Sequence, residues 1–211
     1  MKKNSENTSN KKRTFVINCF GGPGTGKSVT AMGLTSLLKR LGVSCEYVSE
    51  YVKGHVWDNN QRALSCQPTI FGDQLDELHK LDGKVDFIIT DSPLPINLLH
   101  DGFGVTEHYK AWIVEVFNMF DNINILLTVD RKKIPYEQQG RYESAKRAKE
   151  MDKENNQMLI DNNIPFVVFS VGDHTIENIS NYIRASYTSD GKTLRTAKQE
   201  RELVAKIAKL K

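Results

Sequence analysis

Eight consecutive residues, Gly21-Gly22-Pro23-Gly24-Thr25-Gly26-Lys27-Ser28, fit the pattern G-x-x-x-x-G-K-[ST]. Four glycines in so short a span let successive backbone N–H groups turn inward, where side chains would block an approaching anion. A lysine at the end of such a loop reaches the β- and γ-phosphates of a nucleotide, and the serine hydroxyl ligates Mg²⁺. The local context agrees. "TFVINCF" (14–20) reads as a buried strand before the loop, and a helix opens after it, with Val29 in its first turn. That helix adds unsatisfied N–H groups and the positive end of its dipole. Residues Gly21 to Val29 are therefore expected to hold the phosphates of ATP with Mg²⁺. The pattern gives nucleotide binding but not the reaction, and it does not choose between adenine and guanine.

Other residues say what could be done with the nucleotide. Asp91, in "FIITDSP", stands at the carboxyl end of an apolar run, where the second acid of such a site belongs, near Mg²⁺ and the acceptor. Glu50, in "VSEY", would lie across the mouth from the loop and could take the proton of an acceptor hydroxyl. Asp91 could share that task, and the two are not separated by sequence. The cationic segment "DRKKIPYEQQGRYESAKR" (130–147) suits a lid over a transferring phosphoryl group. Its candidates are Arg131, Lys132, Arg141 and Arg147. Arg141 is preferred for catalysis, because Gly140 gives the loop freedom to move, and Arg131 is expected to bind the nucleotide. Trp57, Gln67 and Phe71 could form an acceptor pocket, an amide reading a base edge and an aromatic ring stacking on it. At this helical spacing Phe71 reads first as core. No Asn-Lys-x-Asp base-reading motif of GTPases is present.

These residues need elements to hold them. "KSVTAMGLTSLLKRLG" reads as a helix with Ala31, Leu34, Leu38 and Leu41 as its apolar stripe and Gly42 closing it. "SCEYVSEY" (44–51), "VDFIITDSPLP" (85–95), "INILLTVD" (123–130) and "IPFVVFSVG" (164–172) read as further strands. "TIFGDQLDELHKLDG", "YKAWIVEVFNMFD", a long polar stretch up to about residue 163 and "HTIENISNYIRASY" read as helices. Strands alternating with helices imply an α/β fold, a P-loop NTPase three-layer α/β/α sandwich with a mostly parallel five-stranded sheet.

A chain of 211 residues can bury a single core. The expected division is a disordered basic tail over 1–13, one domain over 14–187 with a lid near 131–147, and a basic segment over 188–211 that could form a helix. Net charge is +3 overall, with +4 in residues 1–13, +5 in residues 192–211 and so about −6 between them. Basic ends on an acidic body point to a polyanion, although lysine-rich tails also serve solubility. No apolar run approaches a membrane span, and "MKKNSENTSNKKR" lacks the apolar stretch of a secretory signal. Cys19, Cys45 and Cys66 are odd in number and form no Cys-x-x-Cys pair, so a reducing cytosol fits best. The sequence leaves oligomeric state open.

With those residues in view, the chain resembles the P-loop nucleoside and nucleotide kinases, including the ribosylnicotinamide kinase domain of the NadR type. The shared segments are "GGPGTGKS", "SEY", "TDSP" and "YEQQGRYES". It is more closely similar to a bacteriophage family with an "FGGPGTGKS" start, a "VDFIITDSPL" strand and an "IPF" final strand, which includes 5-hydroxymethyldeoxyuridine DNA kinases. The resemblance covers roughly residues 14–172. It implies ATP-dependent phosphorylation of a primary alcohol, with Gly21 to Ser28 holding ATP and Mg²⁺, Asp91 and Glu50 managing acceptor and metal, and Arg141 closing the lid. A DNA substrate would need its nucleotide flipped out, and the basic ends could help by contacting phosphates. Two other readings remain open: a kinase of a free nucleoside, nucleotide or nicotinamide riboside, and an ATP-dependent nucleic-acid-binding protein with no phosphoryl acceptor.

Overall fold

A computed structural model describes residues 13–50, 65–133, 136 and 144–186. Residues 1–12 and 187–211, Trp57 and Arg141 lie outside these residues. The run Phe15–Phe20 forms β1, buried at every position. A strand apolar on both faces needs cover on both, and β1 takes the middle of a sheet ordered β2-β3-β1-β4-β5. The other strands are β2 (Cys45–Val48), β3 (Phe87–Thr90), β4 (Asp121–Thr128) and β5 (Val167–Ser170). All four pairings are parallel. The expected five-stranded parallel sheet is thus present, with β3 and β5 shorter than their apolar runs.

Five α-helices cover the sheet among the described residues: α1 (Lys27–Arg40), α2 (Gln67–Leu81), α3 (Glu107–Phe117), α4 (Ala145–Asp161) and α5 (Thr175–Ser186). A 3₁₀ turn over Leu94–Leu99 follows β3, where Pro93 and Pro95 punctuate the chain. Side chains alternate across a strand, so β1 feeds two cores. Phe15, Ile17 and Cys19 pack with Leu34 and Leu38 of α1 and with Ile179, Tyr182 and Ile183 of α5. Val16 and Phe20 face the other way, toward Phe71 and Leu78 of α2, Ile113 and Phe117 of α3, and Met158 and Leu159 of α4. Burying one such Leu, Ile or Phe contributes about 1.5–3 kcal/mol, and these two layers hold the loops at the strand ends in place.

Helix α1 ends as its sequence dictates. Gly42 N–H donates to Lys39 O and Val43 N–H to Leu38 O, the paired bonds of a Schellman motif. One stripe residue departs from expectation. Leu41 is half exposed, because it is the last residue before the turn and no longer follows the helical spiral. Polar groups also enter the sheet. Asn18 of β1 donates to Val16 O and to the side-chain oxygens of Asn122 and Asn124 on β4. Asn124 donates onward to Pro165 O, so the amides satisfy one another inside the fold. Among the described residues no helix is long and apolar enough to cross a membrane.

Candidate functional site

The chain leaves β1 toward β2 on one side and leaves β3 toward β4 on the other, so the strand order reverses between β1 and β3. Ligands of open α/β sheets bind at such a crevice, beyond the carboxyl ends of the strands. Two stretches singled out above end there: the glycine loop after β1 and Asp91 after β3.

The loop has the backbone its residue types allow. Gly21, Gly24 and Gly26 have φ of 143°, 74° and 80°. Space matters as much as angle. A Cβ on Gly21 would stand 2.6 Å from Thr25 Oγ1 and 2.9 Å from Leu127 O, and a Cβ on Gly22 would stand 2.4 Å from Asp152 Oδ1. Neither position admits a side chain without a shift of its surroundings. Gly26 is the N-cap of α1, offers no side-chain cap, and no acid occupies the first turn. The positive end of the helix is therefore left to whatever sits in the loop. Lys27 Nζ donates to Gly21 O at 2.7 Å and to Gly22 O at 3.1 Å, so the ammonium lies folded over the loop. Thr25 ties the turn from within, its hydroxyl 2.9 Å from Gly22 O. Val29, also expected to touch the nucleotide, is exposed on the first turn of α1.

Asp91 is the junction of the crevice. It is 3% exposed, and its carboxylate is held by groups from two segments. Ser28 Oγ donates to Oδ2, joining the glycine loop to β3. Glu50 N–H donates to Oδ1 at 3.0 Å, joining the end of β2. Tyr47 stands near the same carboxylate, and its pKa is pushed well above the ordinary phenol range, first by burial and then by the Asp91 charge. Beneath the site, burial drives the Cys19 thiol up to about 12, Asp91 adding to the shift and Lys27 partly opposing it. Glu50 thus meets Asp91 through its backbone, and its side chain is half-buried. Tyr47 was absent from the sequence-based set, though it stands three residues before Glu50 in the strand "CEYV".

On the β4 side Arg131 grips the loop from outside. It donates to Pro23 O at 2.9 Å and to Gly24 O at 3.3 Å, pairs with Asp152 of α4 at 3.1 Å, and lies 5.5 Å from the Tyr136 ring centre. Asp152 was likewise not anticipated. Its signal was an acid on the inner stripe of α4, in step with buried Ala148, Asn155 and Leu159. The other basic candidates are placed differently. Arg147 is engaged by Glu154 of its own helix at 2.5 and 2.9 Å, and Lys132 is exposed.

The side of the crevice toward α2 is built from side chains. Gln74 of α2 donates to Ser92 Oγ and accepts from Asn97 Nδ2 at 2.8 Å, fixing the turn that follows Asp91. Phe71 is fully buried and packs on Trp112 and Tyr109, with ring centres 5.0 and 6.0 Å away. It is core, not an open stacking platform, because α2 turns it toward the sheet. Gln67, the first residue of α2, is half-buried.

A metal would have limited support from the chain. No three His, Cys, Asp or Glu gather into a metal site among the described residues. Ser28 and Asp91 nevertheless offer one neutral and one anionic oxygen side by side. Mg²⁺ is bound by one or two carboxylates plus phosphates and water, and this pair fits that requirement.

The fold has solved counterparts. Thymidylate kinase from Ehrlichia chaffeensis superposes with a TM-score of 0.51 at 12% identity, over 82% of this chain and 98% of that one. Deoxyadenosine kinase from M. mycoides gives a TM-score of 0.48 at 20% identity with dCMP and dCDP bound, over 81% of this chain and 98% of that one. The same enzyme with dATP bound gives 0.47 at 19% identity, over 80% and 99%. No curated protein sequence matches the chain. A family model described as AAA domain (AAA_28) matches residues 16–176, and on that match the protein belongs to this family.

Proposed function

We propose that the protein is an ATP-dependent kinase that transfers the γ-phosphoryl group to a hydroxyl carried by a nucleoside unit. The observation that carries this reading is the contact of Ser28 Oγ with Asp91 Oδ2, which brings the glycine loop and the acid after β3 to one point. On this reading the loop N–H groups grip the triphosphate, and Lys27 turns from the Gly21 and Gly22 carbonyls to the phosphate oxygens. Mg²⁺ held through Ser28 and Asp91 would neutralise phosphate charge. The acceptor oxygen forms a bond to the γ-phosphorus as the bond to the bridging oxygen of ADP breaks. The hydroxyl proton passes to the carboxylate of Glu50 or Asp91. Arg141 offsets negative charge on the nucleotide, and Arg131 acts on it through the loop carbonyls it holds. Such a reaction leaves positioning and electrostatics as the protein's main task.

For the acceptor we propose the 5-hydroxymethyl group of hydroxymethyluracil in DNA, on the strength of the resemblance and the basic ends. A second reading, a free nucleoside or nucleotide as acceptor, is favoured by the shared fold with a thymidylate kinase. One experiment decides between them: labelled ATP is offered with hydroxymethyluracil duplex, thymine duplex, nucleosides, nucleotides and nicotinamide riboside. Mass spectrometry then reports which gains a phosphate. Label in the hydroxymethyluracil duplex alone is the result expected. Label only in a free nucleoside or nucleotide rejects the DNA acceptor, and ATP hydrolysis without any transfer rejects the kinase.

A further inference from the structure

Asp152 sits on the outer wall of the glycine loop, away from the Asp91 side, and the reaction as described gives it no task. Its Oδ1 accepts from Gly22 N–H at 3.1 Å. The same carboxylate takes Arg131 Nη2 at 3.1 and 3.4 Å. Arg131 in turn holds Pro23 O and Gly24 O. Three distant stretches of chain are joined by one carboxylate. The helix that carries it presses on the loop: a Cβ on Gly22 would also lie 3.0 Å from Ala148 O and from Asp152 N. Ala148 is fully buried, and its small side chain permits that approach.

Peptide geometry shows what the grip achieves. In a trans peptide the carbonyl points opposite to the following N–H. Arg131 holds the carbonyls of Pro23 and Gly24 outward, so the N–H groups of Gly24 and Thr25 turn into the loop. Thr25 N–H is held by Gly22 O at 3.3 Å, which closes the turn in that shape. We infer that Asp152 is a positioning residue for nucleotide binding: acting through Gly22 and Arg131, it sets the loop in its phosphate-accepting shape before ATP arrives. It touches no substrate itself. Preorganisation of this kind lowers the cost of binding and acts on affinity.

This inference rests on the ATP reading above, and the test separates the two. MgATP is titrated calorimetrically into the full-length protein. Wild type binding MgATP with Lys27→Ala silent upholds the nucleotide reading; a silent wild type overturns that reading and this inference with it. Asp152→Asn keeps an oxygen for Gly22 N–H but loses the charge that holds Arg131. It is expected to weaken MgATP binding about tenfold, the effect of one charge-assisted hydrogen bond. Its KM for ATP rises alike, while kcat and melting temperature stay near wild type. Arg131→Gln breaks the same link from outside the helix, so the question survives if Asp152→Asn does not fold. The double variant is expected to bind no worse than the weaker single one, because both act on one link. Wild-type affinity in Asp152→Asn, full additivity in the double variant, or a loss of melting temperature with unchanged KM would each overturn the inference.

Discussion

The two halves of the crevice are made from different material. The half proposed to hold the donor is backbone: glycine N–H groups and carbonyls, steadied by Lys27, Arg131 and Asp152. The half proposed to hold the acceptor is side chain: Asp91 with Ser28 and Tyr47, then Gln74, Ser92 and Asn97 behind it. A backbone cradle demands particular residue types at fixed spacing within a few residues. A side-chain pocket draws single residues from four elements, and many sequences could serve. One half is therefore constrained by local conformation and the other by tertiary placement.

The comparison can be broken, and the largest effect tests the donor half alone. Lys27→Ala is expected to lower phosphoryl transfer about 10²–10³-fold, the scale for removing one preorganised charge-stabilising donor. Circular dichroism should show the fold retained, and acceptor binding should persist. Loss of the fold would mean that the lysine is structural. Asp91→Asn acts where the halves meet. A fall of about 10²-fold in transfer with a weakened Mg²⁺ dependence is expected; an unchanged Mg²⁺ titration would place the metal elsewhere.

Tyr47→Phe sharpens the acceptor half. It removes a hydroxyl beside the buried Asp91 carboxylate, so transfer should drop roughly tenfold, the scale of about 1.4 kcal/mol. Unaltered kinetics would show that Tyr47 does not steady Asp91. The smallest effect concerns Cys19. Its thiol pKa is raised from 9.0 to about 12 by burial, so the folded state keeps a proton that the unfolded chain gives up earlier. The stability this contributes is complete below pH 9 and is lost as pH rises toward 12. Iodoacetamide at pH 8 should modify Cys19 only after unfolding, and mass mapping of the native protein would reveal any exception.

Legibility followed the same division. The glycine loop was readable because φ near +80° and contacts under 3 Å exclude most side chains. The strands were readable because β1 and β3 are buried on both faces and consist almost wholly of β-formers. Asp91 was readable from its place at the end of such a run. Glu50 was only half readable: a carboxylate was expected at the mouth, and the bond to Asp91 comes from its N–H. Asp152 and Gln74 were not visible, because a polar residue on a buried helical stripe declares no partner until the facing segment is known. Phe71 was readable as core from its helical spacing, and it is fully buried there.

The Asn18 amide, bonded to Asn122 and Asn124, has a consequence for assembly. Greasy strands can slide by two residues and still present the same face, but a donor with two waiting oxygens tolerates one alignment. Because Leu127 O lies within 2.9 Å of where a Cβ on Gly21 would be, any slippage of β1 along β4 would displace the nucleotide cradle itself. A trio of asparagines, far from the chemistry and unremarkable in composition, thus acts as the ruler against which the loop is measured out.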